Sequence, residues 1–148
     1  MSDAGESDGG VSITTVTQLA IFMENRPGSL AHACAAIAEA GINIEALATE
    51  GNVFGGQSSE MLVRMVVSDP AKAAAVLAEE GAVAVKTDVL LIEGNNRPGL
   101  LAAIASKLAT AEVNIESIYL SGGADGEKYV VILRPSDVEK AQRLLRDL

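Results

Sequence analysis

The sequence predicts an α+β protein of two successive βαββαβ units, each an antiparallel sheet with helices on one face. The first observation is a tandem repeat: residues 25–47 and 96–118, offset by 71 positions, are identical at 11 of 23 sites. The second is a hydrophobic pattern that switches between short apolar runs and helix-like faces, and the third is glycine or proline at the switches. Since a repeat of about 70 residues has the length of a small domain, the 148-residue chain is interpreted as a duplication.

The sequence of the first half of the first unit predicts a strand, a turn and a helix. An apolar run at 17–24 is typical of a buried strand, and the NRPG sequence at 25–28 predicts a turn. Gly41 has the place of a C-terminal cap of the helix that follows the turn. The apolar positions with the spacing of one helix face are Leu30, Ala33, Cys34, Ile37 and Ala38.

The second half of this unit reads as two strands, a helix and a last strand. Residues 42–50 and 61–68 predict strands on either side of a glycine-rich loop. Asp69-Pro70 predicts an N-cap followed by proline at the first helical position. Residues 82–87 predict the closing strand, which completes the order βαββαβ.

The second unit repeats this order but ends early. Strands are predicted at 89–94, 113–121 and 129–133, the last two around the glycine-rich loop 122–126. Ser136 to Glu139 reads as a capping box that opens the final helix, and that helix uses the remaining residues. The second unit therefore lacks a last strand of its own.

The segment 11–16 (VSITTV), rich in β-branched residues, is predicted to replace the missing strand. It comes just before the strand at 17–22, in the same way that the closing strand 82–87 comes just before the strand at 88–93. Two long antiparallel strands, about 11–23 and 82–94, would follow. The predicted organisation is a flexible acidic tail at 1–10, a first unit at 11–87 and a second unit at 88–148.

Composition excludes several classes of function. A formal charge of −9 opposes binding to nucleic acid, and no apolar run has the length of a membrane span. One cysteine and one histidine cannot build a zinc site or an internal disulfide, which predicts a cytoplasmic protein. No cofactor motif or set of nucleophile and base is present, so we expect a protein that is not an enzyme and needs no cofactor.

The repeated motifs resemble the ACT domain. The residues that carry the resemblance are NRPGSL at 25–30 with GINIE at 41–45, and NRPGLL at 96–101 with VNIE at 113–116. The resemblance covers nearly all of 17–148 and implies ferredoxin-like units that bind a small ligand, often an amino acid, at interfaces between units. The second unit departs from the pattern at Glu112, which stands where the first unit has Gly41.

The NRPG turn has a physical reason to bind such a ligand. A glycine at 28 lets a ligand approach the backbone, and the first amides of the helix attract a carboxylate. The side-chain amide of Asn43 both donates and accepts, and Asn25 offers a carbonyl oxygen to an ammonium group. The predicted ligand-binding residues are Asn25, Gly28, Ser29, Leu30, Asn43, Ile44, Asn96, Gly99, Leu100, Leu101, Asn114 and Ile115.

A purely structural interpretation stays open for the same residues. An NRPG turn also starts a helix, and asparagine at a strand entry often satisfies backbone groups. Arg26 is expected to be solvated or paired with an acidic neighbour, and His32 is expected at the surface. Glu45 and Glu116 are expected to be solvated rather than to form an acid–base pair.

Three functional hypotheses remain. The first is a regulatory protein that binds an amino acid and changes its assembly or its contact with an enzyme. The alternative is a regulatory subunit of an amino-acid biosynthetic enzyme that acts through protein contact, and an enzyme in its own right is the third. Helices cover one face of each small sheet, so the apolar second face predicts a homodimer.

Overall fold

The computed structural model describes residues 10–51, 59–122 and 127–148, so the predicted acidic tail and most of both glycine-rich loops lie outside the described residues. The chain divides into two compact units. The first unit is Thr17–Thr87, and the second combines the residues up to Val16 with Asp88–Leu148.

The first unit is an antiparallel sheet covered by two helices. Its strands follow the order β2-β3-β1, with Phe22 of β1 opposite Leu62 of β3. Side chains from one sheet face and from the helices form its core, including the fully buried Leu19, Ile37 and Leu77. Its elements are β1 (Ser12–Glu24), α1 (Ser29–Glu39), β2 (Ile44–Gly51), β3 (Glu60–Val67), α2 (Pro70–Glu79) and the start of β4 (Ala84–Asn95).

The second unit repeats this plan. Its strands follow the order β5-β6-β4, again antiparallel, and its core includes the fully buried Leu90, Ile104 and Leu145. After β4 its elements are α3 (Leu100–Thr110), β5 (Ile115–Gly122), β6 (Lys128–Pro135) and α4 (Val138–Leu145). The predicted α+β fold of antiparallel sheets with covering helices is confirmed.

The first residues of β1 belong to the second unit. Ile13, and Val11 just before β1, pack against its core, although they lie far from it in sequence. Val11 approaches β4 closely: a Cβ placed on Gly94 would lie 3.0 Å from Val11 Cγ1. This segment therefore contributes apolar side chains to a unit whose other residues begin 72 positions after Val16, at Asp88.

The helices α2 and α4 begin at aspartate N-caps. Asp69 Oδ1 accepts the Lys72 N–H at 3.1 Å, and Asp137 Oδ1 accepts the Lys140 N–H at the same distance. The predicted capping box at Ser136 is wrong by one residue, because the Ser136 hydroxyl accepts the Asn114 N–H instead. The side chain at the expected cap is thus used to hold the start of β5.

The helices α1 and α3 end in the same left-handed conformation. Gly41 has φ 78°, and the following Ile42 N–H donates to the Ile37 carbonyl at 3.2 Å. At the equivalent place Glu112 has φ 61°, and Val113 donates to Leu108 at 2.9 Å. The second unit keeps the helix end at the conformational cost that a side chain imposes at positive φ.

Candidate functional site

The two NRPG turns have nearly the same backbone. Gly28 and Gly99 are the N-caps of α1 and α3, with φ 93° and 92°. A Cβ on either glycine would meet no heavy atom of the described residues within 4 Å, so the space beside both is open. The positive φ requires glycine, and the open space leaves the turn accessible to a ligand.

The first turn borders a cavity of about 540 Å³. The cavity lies between the N-terminal end of α1 and the C-terminal end of α2, and the end of β1 forms another side. This volume is in the range of small-molecule sites. Its lining comprises Phe22, Met23, Glu24, Arg26, Gly28, Ser29, His32, Ala33, Glu60, Leu77, Glu80, Gly81 and Ala82.

Two side-chain pairs line this cavity. Arg26 Nε donates to Glu24 Oε1 at 3.0 Å, which confirms that Arg26 pairs with an acidic neighbour. His32 Nε2 contacts Glu80 Oε1 and so links α1 to the residue after α2. His32 is exposed, as predicted, with 71% of its side chain accessible, but its place at a cavity was not predicted.

Helix ends add partial charges of both signs. The helical hydrogen bonds of α1 begin with His32 N–H donating to the Gly28 carbonyl at 2.9 Å, so the amides of its first turn lie at the positive end of the helix. Glu80 and Gly81 follow the C-terminal end of α2, which carries the negative partial charge. A molecule with separate positive and negative groups finds complementary charges in this cavity.

The second turn lacks this arrangement. Leu100 stands where the first unit has Ser29, and its side chain is 1% exposed in the second core. Its side chain is therefore held in the core, although Leu100 is a predicted ligand-binding residue. The second unit also has Asn95, Ala103, Lys128 and Leu148 at the positions equivalent to Glu24, His32, Glu60 and Glu80.

The predicted asparagines of the two turns have different surroundings. Asn25 lies against the end of β2, since a Cβ on Gly51 would be 2.8 Å from Asn25 Nδ2. At the equivalent Gly122 the Tyr129 ring is nearest, with Cδ2 at 2.6 Å, and Asn96 Nδ2 is 3.6 Å away. Asn25 therefore lies closer to the end of β2 than Asn96 lies to the end of β5.

Asn43 and Asn114 each hydrogen-bond to a serine, at the end of the preceding helix that is farther from the NRPG turn. Asn43 N–H donates to Ser68 Oγ at 2.9 Å, and Ser68 N–H donates back to the Asn43 carbonyl. Asn114 and Ser136 form the same pair. The 11 residues of α1, about 16 Å, separate Asn43 from Gly28, so one unit does not bring these two predicted residues together.

The remaining predicted residues are apolar. Leu30 and Ile44 pack against the first core, and Ile115 packs against the second. Leu101 is 37% exposed. Leu30, Ile44 and Ile115 therefore anchor the helix and strands that carry the motifs. Leu30 also supplies a backbone amide to the first turn of α1.

The residues that sequence reasoning missed are charged ones. Glu24, Glu60, His32 and Glu80 come from three separate parts of the sequence and meet only through the fold. A signal was available, because comparing the repeats position by position shows glutamate or histidine at these four sites in the first unit and neither residue at the equivalent sites of the second.

Within 10–51, 59–122 and 127–148, no group of three or more His, Cys, Asp or Glu side chains is placed to hold a metal ion. No helix in the described part of the chain is long and apolar enough to cross a membrane.

Comparison with known proteins identifies the family. The model of an ACT domain pair matches residues 14–147, which confirms the resemblance. No curated protein matches the chain. Among solved structures, protein BT0572 from Bacteroides thetaiotaomicron is 30% identical with a TM-score of 0.80, covering 91% of this chain and 89% of that one.

Two further structures show the same fold at lower identity. The ligand-free regulatory subunit of aspartate kinase from Thermus thermophilus is 22% identical, with a TM-score of 0.67 and 93% of each chain covered. The regulatory subunit from Thermus flavus is 21% identical, with a TM-score of 0.62 and 93% and 95% covered. The match over almost the whole chain shows that this protein belongs to the ACT domain pair family.

Proposed function

We propose that this protein is a regulator that binds a free amino acid in the cavity beside the first NRPG turn. The observation that carries the proposal is the cavity itself, where the positive end of α1 and the negative end of α2 face one space. Membership of the ACT domain pair family supports a regulatory rather than a catalytic role.

The proposed orientation follows from charge. The carboxylate of the amino acid lies toward the first amides of α1 and Arg26, and its ammonium group lies toward Glu80. The side chain then contacts the apolar wall formed by Met23, Ala33, Leu77 and Ala82. Gly28 and Ser29 are the predicted binding residues that line this cavity, and no equivalent role is proposed for the second turn.

The proposed regulation is linkage between the ligand and assembly. Phe22 lines the cavity and alternates with the core residues Ile21 and Met23, so it also belongs to the sheet face that the helices leave uncovered. Phe22, Val83 and Val85 are 63%, 80% and 59% exposed there. We propose that a second copy of the chain covers this face and that the ligand shifts this equilibrium.

A metabolic enzyme is a second candidate partner. The Thermus neighbours are regulatory subunits of aspartate kinase, so the alternative function is that of a regulatory subunit acting through protein contact. The exposed apolar face supports this alternative too. The proposed place of action is the cytoplasm, which agrees with a chain that has a single, free cysteine.

The test is a panel of the proteinogenic amino acids measured by calorimetry and thermal shift. We expect at least one amino acid to raise the melting temperature at millimolar excess, since a ligand that binds only the folded state stabilises it. Ser29→Leu copies the second unit and should remove the response. Ala31→Leu adds the same bulk at an exposed position outside the cavity and should keep it.

The outcomes separate the candidates. If no amino acid of the panel binds, the amino-acid proposal is overturned and the protein-contact alternative is left. Co-purification of a larger enzyme would support that alternative. A response that survives in Ser29→Leu would place the ligand elsewhere on the molecule.

A further inference from the structure

We propose that two copies of the chain pair through a reciprocal contact in which Arg64 of one copy meets Glu50 of the other. The contact lies on the sheet face of the first unit that its helices leave uncovered. This inference rests on the homodimer of the proposed function and names the side chains that hold it together. Three observations support it: a guanidinium without an ion-pair partner, small side chains beside it, and a carboxylate in the adjacent row of the same face.

Arg64 lies within this uncovered face. The core residues Val63 and Met65 flank it on β3, so its side chain points away from the helices. It is half-buried, yet no carboxylate in the described segments of the chain forms an ion pair with it. A guanidinium that is partly removed from water is stabilised when a carboxylate contacts it.

The side chains on both sides of Arg64 are small. In the antiparallel register Ala20 of β1 and Ala48 of β2 lie opposite it. Alanine side chains end at Cβ, so they leave the guanidinium accessible from outside the sheet. The second unit has larger side chains at the three equivalent positions, which are Leu91, Ile132 and Tyr119. A partner chain therefore finds an accessible arginine at this place in the first unit and none at the equivalent place in the second.

The adjacent row of the same face holds a carboxylate and an aromatic ring. Leu62 of β3 lies opposite Phe22 of β1 and Glu50 of β2. Phe22 is 63% exposed, and Glu50 is exposed and has no ion pair within the described part of the chain. The row beyond the arginine is closed to a partner, because Gln18 and Val66 are 2% and 1% exposed. The accessible part of this face therefore contains the row of the arginine and the row of the carboxylate.

A two-fold axis between these two rows makes the face complementary to itself. In a symmetric dimer each patch meets the same patch of the partner, so each row faces the other row across the axis. Glu50 then faces the partner's Ala48, beside the partner's Arg64. Phe22 faces the partner's Ala20, on the other side of the same guanidinium. Each arginine thus gains a carboxylate and an aromatic ring, and the contact is formed twice in the dimer.

Two charge reversals in the full chain test the contact. Arg64→Glu brings two carboxylates together in the dimer, and Glu50→Arg brings two guanidinium groups together. Sedimentation over a concentration series should show each variant dimerising about tenfold more weakly than wild type. An equimolar mixture of the two variants forms a mixed dimer with opposite charges in both contacts. Dimerisation of this mixture should return to within about threefold of wild type.

A matched control mixture contains Arg64→Glu and Glu45→Arg. Glu45→Arg makes the same change of charge at an exposed position of the same strand, so both mixtures have the same net charge. We expect no recovery in this control, because the glutamate at position 64 still meets Glu50 of the other copy. Glu50 and Arg64 are also neighbours within one chain, and recovery in the mixed dimer distinguishes a contact between copies from a contact within one.

Each outcome decides the inference. Recovery in both mixtures, or in neither, would overturn the contact while keeping the proposed homodimer. Variants that dimerise as tightly as wild type would also overturn the contact alone. A wild-type chain that stays monomeric throughout the concentration series would overturn the homodimer of the proposed function and this contact with it. Thermal unfolding of each variant shows whether it is folded.

Discussion

The two units share a backbone plan and differ in what surrounds it. Both turns place a glycine at φ near 90° before a helix, and both helices end in a left-handed residue. Around the first turn the side chains are charged and border a cavity, whereas Leu100 of the second is buried. Duplication has thus preserved the scaffold that shapes a site, while the side chains that supply binding chemistry have diverged.

The largest expected effect concerns the strand that completes the second unit. We propose that residues 11–16 act as its missing last strand, and we expect their deletion with the tail to destabilise the fold by about 3 kcal/mol or more. Val11 and Ile13 would leave the second core, and the edge of β4 would lose its neighbour. Thermal and urea unfolding measure this loss, with a chain lacking only residues 1–10 as control. An unchanged melting temperature and full solubility of the shorter chain would contradict the proposal.

The next effect concerns the sheet faces that the helices leave uncovered. Val85 of the first unit corresponds to Thr14 of the second, so one exposed position is apolar and its equivalent is polar. Val85→Glu should weaken a homodimer at least tenfold, about 1.4 kcal/mol, because a charge enters the apolar contact. Thr14→Glu, which introduces the same side chain at an already polar site, should not.

Light scattering and sedimentation over a concentration series measure this equilibrium. A wild-type chain that stays monomeric at high concentration would remove the homodimer from the proposal. Equal weakening by both glutamates would show that general charge repulsion, rather than the apolar face, is responsible.

The smallest effect concerns the ends of α1 and α3. Glu112→Gly should stabilise the fold by about 1 kcal/mol, because glycine adopts φ 61° without the steric cost of a side chain. Gly41→Ala should destabilise it by a similar amount for the same reason. Chemical denaturation of both variants measures the two changes, and effects of the same sign would contradict this account of the repeat difference.

Much of the fold could be predicted from the sequence, because the signals that set its helices and strands are local. Apolar spacing, the NRPG turns and Asp69-Pro70 each act within a few residues, so the helices and strands could be placed. The cap of α4 was misplaced because Ser136 and Asp137 are both good caps, and the choice depends on Asn114, which is 22 residues from Ser136 in sequence. Local rules cannot rank two such neighbours when a distant backbone amide takes one of them.

Only part of the candidate site could be predicted from the sequence. The turn glycines follow from the motif, and Gly28 and Ser29 do border the cavity. Asn43 was grouped with them because it carries a suitable amide, although α1 places it at the opposite end of the unit. His32 and Glu80 are 48 residues apart in sequence and had no pattern in common that could associate them.

The sequence by itself determined the duplication, the order of elements and the two turns, because periodicity and backbone preferences are properties of short segments. Only the tertiary structure decided which charged groups meet, since that depends on how helix ends and strand ends are brought together. The packing of α1 and α2 places a positive and a negative helix end at one cavity in the first unit. In the second unit, burial of Leu100 in the core leaves an identical motif with different chemistry.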